Sequence, residues 1–304
     1  ELPLLDNLFN RGLENGLSIS KMSQGELKER EPHVKGLEAI YVPNAGIVNF
    51  TDVCESIAEV IRRRDGEIFL GQTAKAIIEK NDEVVIETDK QTFRGRYLIN
   101  CAGLHSDRIA KMAGYLIDMK IVPFRGEYFQ IKPERKNLVN HLIYPVPNPD
   151  FPFLGVHFTR MIDGKVDVGP NAVLSFKREG YKKTDFLLSD AAEIVRYKGF
   201  WKLASKYMRE GMEEMIRSVS KKKFVENARS LIPDLEEDDL IQGPAGVRAQ
   251  ALKNDGSLVD DFEIINGKNS THVCNAPSPA ATASLEIGRI IASRIPDKSP
   301  IKIY

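Results

Sequence analysis

The amino-acid sequence predicts an α/β fold, and three observations carry that prediction. Two apolar strands, Leu98-Ile99-Asn100-Cys101-Ala102-Gly103 and His272-Val273-Cys274-Asn275-Ala276-Pro277, each break into small residues and run at once into a helix. Between them, Ile121 to Val173 reads mostly as strands, with prolines and glycines at strand ends that suit an antiparallel sheet. No Gly-x-Gly occurs anywhere in the chain, so the usual opening fingerprint of a dinucleotide-binding fold is missing.

The elements follow in order. Glu1 to Gly16 reads as an amphipathic helix, with Leu4, Leu5, Leu8 and Leu13 on one side and Gly16 as its stop. A chain opening directly inside a packed helix is expected to be a fragment, or one whose N-terminal part is not shown. Ser23 and Glu26 form a capping box for a short helix that Pro32 ends. Leu37 to Val42 is a strand. Asp52 then caps a helix carrying Val53, Ile57, Val60 and Ile61 inward, and Arg62-Arg63-Arg64 forms its solvated end. A β-rich block follows, with Glu67–Gly71, Thr73–Ile78 and Val84–Thr88 as strands, and Thr92 to Tyr97 leads into the first strand–turn–helix junction and its helix, Ser106 to Ala113.

Beyond it lie Val122–Ile131, Leu142–Val146, Phe153–Phe158 and Val166–Gly169 as strands. Asp190–Val219 and Phe224–Ile232 are helical, and Glu236-Glu237-Asp238-Asp239 is an exposed acidic loop. Gly243 to Gln250 enters the closing strands, with Asp255-Gly256 as a tight turn. The C-terminal junction runs from Asn275 to Ser284 into a helix with apolar Leu285, Ile287, Ile290 and Ile291. Small side chains there let a ligand approach the backbone, and the helix's first turn offers free N–H groups to an anion or an electron-rich ring. The two junctions echo one another, and both are expected to line one ligand at the carboxyl ends of parallel strands.

Composition narrows the function classes. The chain has 304 residues, 42% hydrophobic and 28% charged, as in an ordinary globular protein of one large or two smaller domains. Lys+Arg and Asp+Glu balance at 43 each, which argues against a nucleic-acid partner. No apolar run reaches the ~20 residues of a membrane helix, so a cytoplasmic location is expected. Cys54, Cys101 and Cys274 are far apart and odd in number, and are expected to be buried free thiols; no residue is expected to bind metal.

Longer blocks carry a family resemblance. Pro123-Phe124-Arg125-Gly126-Glu127-Tyr128, Phe151 to Arg160, Gly246-Val247-Arg248-Ala249-Gln250, Val259-Asp260-Asp261-Phe262 and Asn275 to Thr282 resemble the L-2-hydroxyglutarate dehydrogenases/oxidases. These are FAD enzymes of the wider D-amino-acid-oxidase-like superfamily. The match runs in order over nearly the whole chain, but the family opens with a strand–Gly-x-Gly-x-x-Gly–helix unit that this chain lacks. The resemblance implies an FAD/NAD(P)-binding Rossmann-like domain, incomplete at its N-terminus, interleaved with an α+β substrate domain of mostly antiparallel sheet. Residues 46–113 and 243–304 would form the FAD domain, and 1–45 and 114–242 the substrate domain. It further implies that Ala74 lies on the adenine side, that Ala102 and Gly103 pass close to the adenosine diphosphate, and that Pro277, Ser278, Ala280, Ala281 and Thr282 face the flavin and its ribityl chain. Gly246 belongs to the same cofactor set.

The implied reaction is FAD-dependent oxidation of L-2-hydroxyglutarate to 2-oxoglutarate by hydride transfer to flavin, with electrons passed to oxygen or to a membrane quinone chain, the latter from a peripheral position at the membrane's inner face. Such chemistry needs a carboxylate clamp and a base. Arg248 suits the clamp, since guanidinium binds carboxylate bidentately, although it can equally pair with Asp260 or Asp261. His157 is the base candidate, because strand alternation sets it opposite Val156 and Phe158, although a lone strand histidine is as often structural. Arg125, Tyr144 and Arg160 are candidates for the second carboxylate, with pairing of Arg125 to Glu127 and packing of Tyr144 as the alternatives. Two other functions stay open: an amine-oxidising flavoenzyme of the glycine or D-amino-acid oxidase kind, and a non-catalytic remnant of the fold acting as an interaction domain.

Overall fold

The structure is a computed structural model, and it describes residues 1–147, 155–208, 211, 218, 220–277 and 280–296. In chain order the first elements are α1 (Leu2–Glu14), β1 (Ser20–Ser23), α2 (Gln24–Arg30), β2 (Glu38–Tyr41) and α3 (Phe50–Arg63). Then come β3 (Ala74–Glu79), β4 (Val84–Thr88), β5 (Thr92–Gly95), β6 (Leu98–Asn100), α4 (Ser106–Met112) and β7 (Met119–Ile131). The chain continues through β8 (His157–Arg160), β9 (Val166–Gly169), β10 (Val173–Leu174), α5 (Leu188–Val195), α6 (Lys198–Lys206) and α7 (Lys221–Ala228). It closes with β11 (Leu240–Lys253), β12 (Glu263–Asn266), β13 (Ser270–Asn275) and α8 (Ser284–Ala292). Strands with both antiparallel and parallel pairing, joined by helices, give the α/β class expected from the sequence.

Two compact units divide the chain. The first comprises Glu1–Cys54, Arg125–Val173 and Met208–Gly246. Its core is Phe129, Ile131, Leu138, Phe158, Val166 and Val168 from the strands and the Leu138 turn, closed by Phe224, Val225 and Ala228 of α7. Strand β9 pairs antiparallel with both β7 and β8, through Phe129–Val168 and Phe158–Val168. The second unit comprises Glu55–Phe124, Leu174–Tyr207 and the chain from Val247 onward. It holds the β3–β4–β5 meander and the sheet β12–β13–β6. Ala110, Met119, Ile121, Ala251, Val259 and Cys274 form one of its cores.

Local signals were read well where they are self-contained. Ser23 and Glu26 make the capping box, Gly16 ends α1 with φ +74°, and Gly256 takes φ +87° in the Asp255-Gly256 turn. Others need correction. Helix α3 is capped by Asn49, whose Oδ1 accepts the Thr51 amide, so Asp52 sits inside the first turn. No residue of α3 is buried, and Ile57, Val60 and Ile61 are exposed, because nothing among the described residues packs over that face. The same holds for α1, where Leu5 is buried but Leu4, Leu8 and Leu13 are not.

Glu67–Gly71 forms no strand, since the neighbouring meander pairs only among β3, β4 and β5; Phe69 instead packs edge-on against Phe93 at 4.8 Å. Leu142–Val146 contributes only an isolated bridge at Ile143. Of the cysteines, only Cys274 is buried, while Cys54 and Cys101 are exposed on α3 and at the small-residue turn. The acidic run is a short 3-10 turn that buries Asp239, which accepts from Arg135 Nε at 3.0 Å.

Candidate active site

Strands β6 and β13 pair in parallel, with Leu98 opposite Ser270, Ile99 opposite Thr271 and Asn100 opposite His272. The two small-residue junctions therefore leave the same end of one sheet, side by side. Polar side chains pin them there. Ser106 Oγ at the start of α4 donates to the Cys274 carbonyl at 3.1 Å. Asn275 Nδ2 donates to the carbonyls of Val259 (3.0 Å) and Asp261 (2.8 Å), tying the end of β13 to the segment that leads into β12. Such bonds fix backbone direction where the sheet stops supplying partners.

Beyond β6 the chain turns through Ala102 and Gly103, both exposed, with Gly103 at φ +51° and no atom within 4 Å of where a Cβ would lie. That is a conformation and a clearance suited to glycine beside a ligand. Beyond β13, Pro277 and Ala280 are half-buried and Ala281 and Thr282 exposed, before Ala283 opens α8 without a side-chain cap. Ser278 lies outside the described residues. Ala74 begins β3, half-buried opposite Thr88. In α8 only Ile291 is buried; Leu285 and Ile290 are exposed.

In the first unit, His157 stacks on Tyr144 with ring centroids 4.4 Å apart. Its Nδ1 lies 3.1 Å from the Gly155 carbonyl, an acceptor, so Nδ1 carries the proton and Nε2 the lone pair. Burial lowers the His157 pKa, only partly opposed by the Gly155 carbonyl, so the ring is neutral near pH 7. Alternation is as expected: Val156 and Phe158 are buried on either side. Arg160 projects from the opposite face of β8 and donates to the Val139 carbonyl at 2.8 Å, so it is not brought to His157. Arg125 is buried on β7 and pairs with Glu127, two residues on along the same face, at 2.9 Å. Glu127 also accepts from Asn171 Nδ2 (3.1 Å) and Ser218 Oγ (2.7 Å).

Arg248 and Gly246 share the exposed face of β11, and no atom lies within 4 Å of a Cβ built on Gly246. Sequence reasoning gave no role to Asn100, Asn275 or His272, and offered Glu127 only as an alternative partner of Arg125. A usable signal was present in β13: every residue from Ser270 to Asn275 is buried, yet four of the six are polar, and buried polar groups demand partners.

Comparison with known proteins places the chain. The family model described as DAO, FAD dependent oxidoreductase, matches residues 1–294. The L-2-hydroxyglutarate dehydrogenase of Indibacter alkaliphilus is 52% identical over 290 residues, 95% of this chain and 73% of that protein. The chain belongs to the L-2-hydroxyglutarate dehydrogenase family of FAD dependent oxidoreductases. Other members are similarly related: the Escherichia coli K12 dehydrogenase is 45% identical over 97% of this chain and 70% of its own length, and the human mitochondrial one 41% over 97% and 68%. Among solved structures, the L-alpha-glycerophosphate oxidase of Mycoplasma pneumoniae with FAD bound aligns at TM-score 0.74 and 18% identity, covering 95% of this chain and 68% of that one. At that identity the likeness speaks for the fold.

The residues present fit FAD. The open space at Gly103, the small residues Ala281 and Thr282, both exposed, and the uncapped start of α8, all at one sheet end, give backbone N–H groups an unobstructed approach to an anionic cofactor. Among the described residues no cluster of potential metal ligands is found, and no helix is long and apolar enough to cross a membrane.

Proposed function

We propose that this chain oxidises L-2-hydroxyglutarate to 2-oxoglutarate, with residues 46–113 and 243–304 holding FAD and 1–45 and 114–242 forming the substrate side. The observation that carries the reading is the 52% identity to the Indibacter alkaliphilus dehydrogenase across 95% of the chain. Bound FAD supplies the acceptor for the hydride that leaves C2. The remaining work falls to this chain's side chains. Ala74, Ala102, Gly103, Gly246, Pro277, Ser278, Ala280, Ala281 and Thr282 contribute backbone contacts to the cofactor. His157 accepts the hydroxyl proton at Nε2, and its stacking on Tyr144 holds the ring plane. Arg248 binds the C1 carboxylate through its planar donor pair. Of the three candidates for the second carboxylate, Tyr144 fits best, because Arg125 already serves Glu127 and Arg160 the Val139 carbonyl.

Anaerobic mixing with L-2-hydroxyglutarate is expected to bleach the flavin absorbance and release 2-oxoglutarate. Bleaching by glycine or a D-amino acid, with none by L-2-hydroxyglutarate, would transfer the chain to the amine oxidases; a protein that takes up no FAD would be the non-catalytic remnant. The relatives are dehydrogenases by name, which favours an acceptor other than oxygen. We therefore place the electrons on a membrane quinone, reached from a peripheral cytoplasmic position. Hydrogen peroxide formed in step with 2-oxoglutarate would sink that assignment.

A further inference from the structure

His272 is fully buried in the middle of β13, and both its ring nitrogens are engaged. The donors and acceptors around it leave one arrangement. Asn100 Nδ2 lies 2.9 Å from the Ser106 carbonyl, and Asn100 Oδ1 lies 3.1 Å from the Ala102 amide nitrogen. A carbonyl only accepts and an amide N–H only donates, so the Asn100 amide cannot be flipped. Its Nδ2 therefore donates also to His272 Nδ1, at 3.1 Å, and Nδ1 must carry the lone pair. The proton then sits on Nε2 and is donated to Ser270 Oγ at 2.9 Å. Ser270 Oγ in turn donates to Glu79 Oε1 at 2.5 Å. Glu79 Oε2 is held by Tyr115 Oη at 3.0 Å and the Asn269 amide at 3.2 Å.

A single-direction chain thus runs from the Ala102 backbone amide through Asn100, His272 and Ser270 to the Glu79 carboxylate on β3. Each member fixes the orientation of the one before it, and the charge at the end polarises the whole. The titratable groups facing His272 are Glu79, through Ser270, and Tyr115, whose ring lies against the imidazole at 4.7 Å. Burial holds the His272 pKa below its ordinary value against the raising effect of Glu79, so the ring stays neutral.

We propose that Glu79, Ser270, His272 and Asn100 form a positioning relay that sets the Ala102–Gly103 turn for FAD, with Asn100 acting as an obligatory donor at Nδ2. None of the four need touch the cofactor. They act through the Ala102 amide and the Ser106 carbonyl, which bracket the turn. The proposal rests on the assignment of Ala102 and Gly103 as cofactor contacts, and the experiment separates the two.

Asn100→Asp is the sharpest variant, because it is nearly isosteric and converts one donor into an acceptor. Its second carboxylate oxygen would face the Ser106 carbonyl and the His272 lone pair, a repulsion that any added proton relieves. The dissociation constant for FAD, followed by flavin fluorescence on reloading the protein, is expected to rise roughly tenfold or more at pH 8. It should recover toward wild type as the pH falls toward 5.5, and by a larger factor than the wild-type value changes over the same range. His272→Gln, whose amide can accept from Asn100 and donate to Ser270, should bind FAD within about threefold of wild type. His272→Leu, similar in volume, should lose affinity like Asn100→Asp; a packing role alone would leave Leu as good as Gln. If Asn100→Asp does not fold, Ser270→Ala, which deprives Nε2–H of its acceptor, carries the test with the same expected weakening.

Unchanged FAD affinity in Asn100→Asp at pH 8, or in Ser270→Ala, overturns the relay, as does equal affinity of the Gln and Leu variants. Gly103→Val reports on the contact assignment itself. Weakening there with an unaffected Asn100→Asp removes only the relay, while wild-type affinity in Gly103→Val removes both. Reduction of bound flavin by L-2-hydroxyglutarate is a separate readout, so failure of the substrate assignment would leave these affinities interpretable.

Discussion

At the scale of single residues, environment rather than type decides what a side chain can do. His157 and His272 are both strand histidines with lowered pKa values, but His272 has both nitrogens saturated inside the protein, while the bonds to His157 fix only Nδ1. A neutral His157 is the active form of a base, so kcat/KM should rise with pH through an inflection below 6.5 and then level. His157→Gln should cut turnover by roughly 10²- to 10⁴-fold with FAD still bound; a profile unchanged by that substitution would remove His157 from the reaction. Alternation around Phe158 made His157 legible in the sequence. The role of Arg125 was not legible to the same degree, because strand spacing allows both substrate and Glu127 as its partner. The structure shows the Glu127 pair, closed further by Asn171 and Ser218. Removing one member of a buried pair strands the other charge, so Arg125→Leu should cost about 3–5 kcal/mol in denaturant unfolding; a loss under about 1 kcal/mol would mean the pair is not sealed from water.

At the scale of elements, charge ties α4 to α5 in the second unit. Arg108 on α4 meets Asp190 at 2.6 Å and Glu193 at 2.5 Å on α5, and Arg178 meets Asp107 at 2.5 Å. Burial pushes the Glu193 carboxyl up, but the Arg108 hydrogen bonds and the charges of Arg178, Lys120 and Arg108 outweigh it and hold the pKa at about 2. A depressed carboxyl pKa gives stability that is complete above the ordinary value of 4.5 and is lost as the pH falls toward 2. Glu193→Gln should therefore lower Tm at pH 7 and flatten the acid limb between those values; parallel acid limbs for the two proteins would contradict the network. None of this was readable from spacing, since Arg108 and Glu193 are 85 residues apart. What was readable were devices contained within a few residues, such as the Ser23–Glu26 box and the Gly16 stop. The α3 face shows the converse: periodicity correctly gave a helix, but burial depends on what packs over it, and its apolar stripe is exposed.

At the scale of the whole molecule, each compact unit has its own core, one around Phe129, Phe158 and Phe224 and another around Met119, Ile121 and Cys274. Sequence reading identified two junctions of one kind, but their adjacency depends on β6 pairing with β13, residues some 170 positions apart that no local pattern links. That pairing turns two separate strand–turn–helix units into one surface within the second unit. A ligand bound there stabilises the segments that contact it directly, because it binds the folded form alone. Hydrogen exchange on adding FAD should therefore slow most at 100–106 and 274–286, where Gly103 has open space beside it and side-chain bonds hold the junction. Amides of Phe129, Phe158 and Phe224 already belong to a fully formed core and should change little. Protection gained chiefly around those phenylalanines, with the two junctions unaffected, would place the cofactor elsewhere and undo the assignment of Ala102, Gly103 and the turn from Pro277 to Thr282.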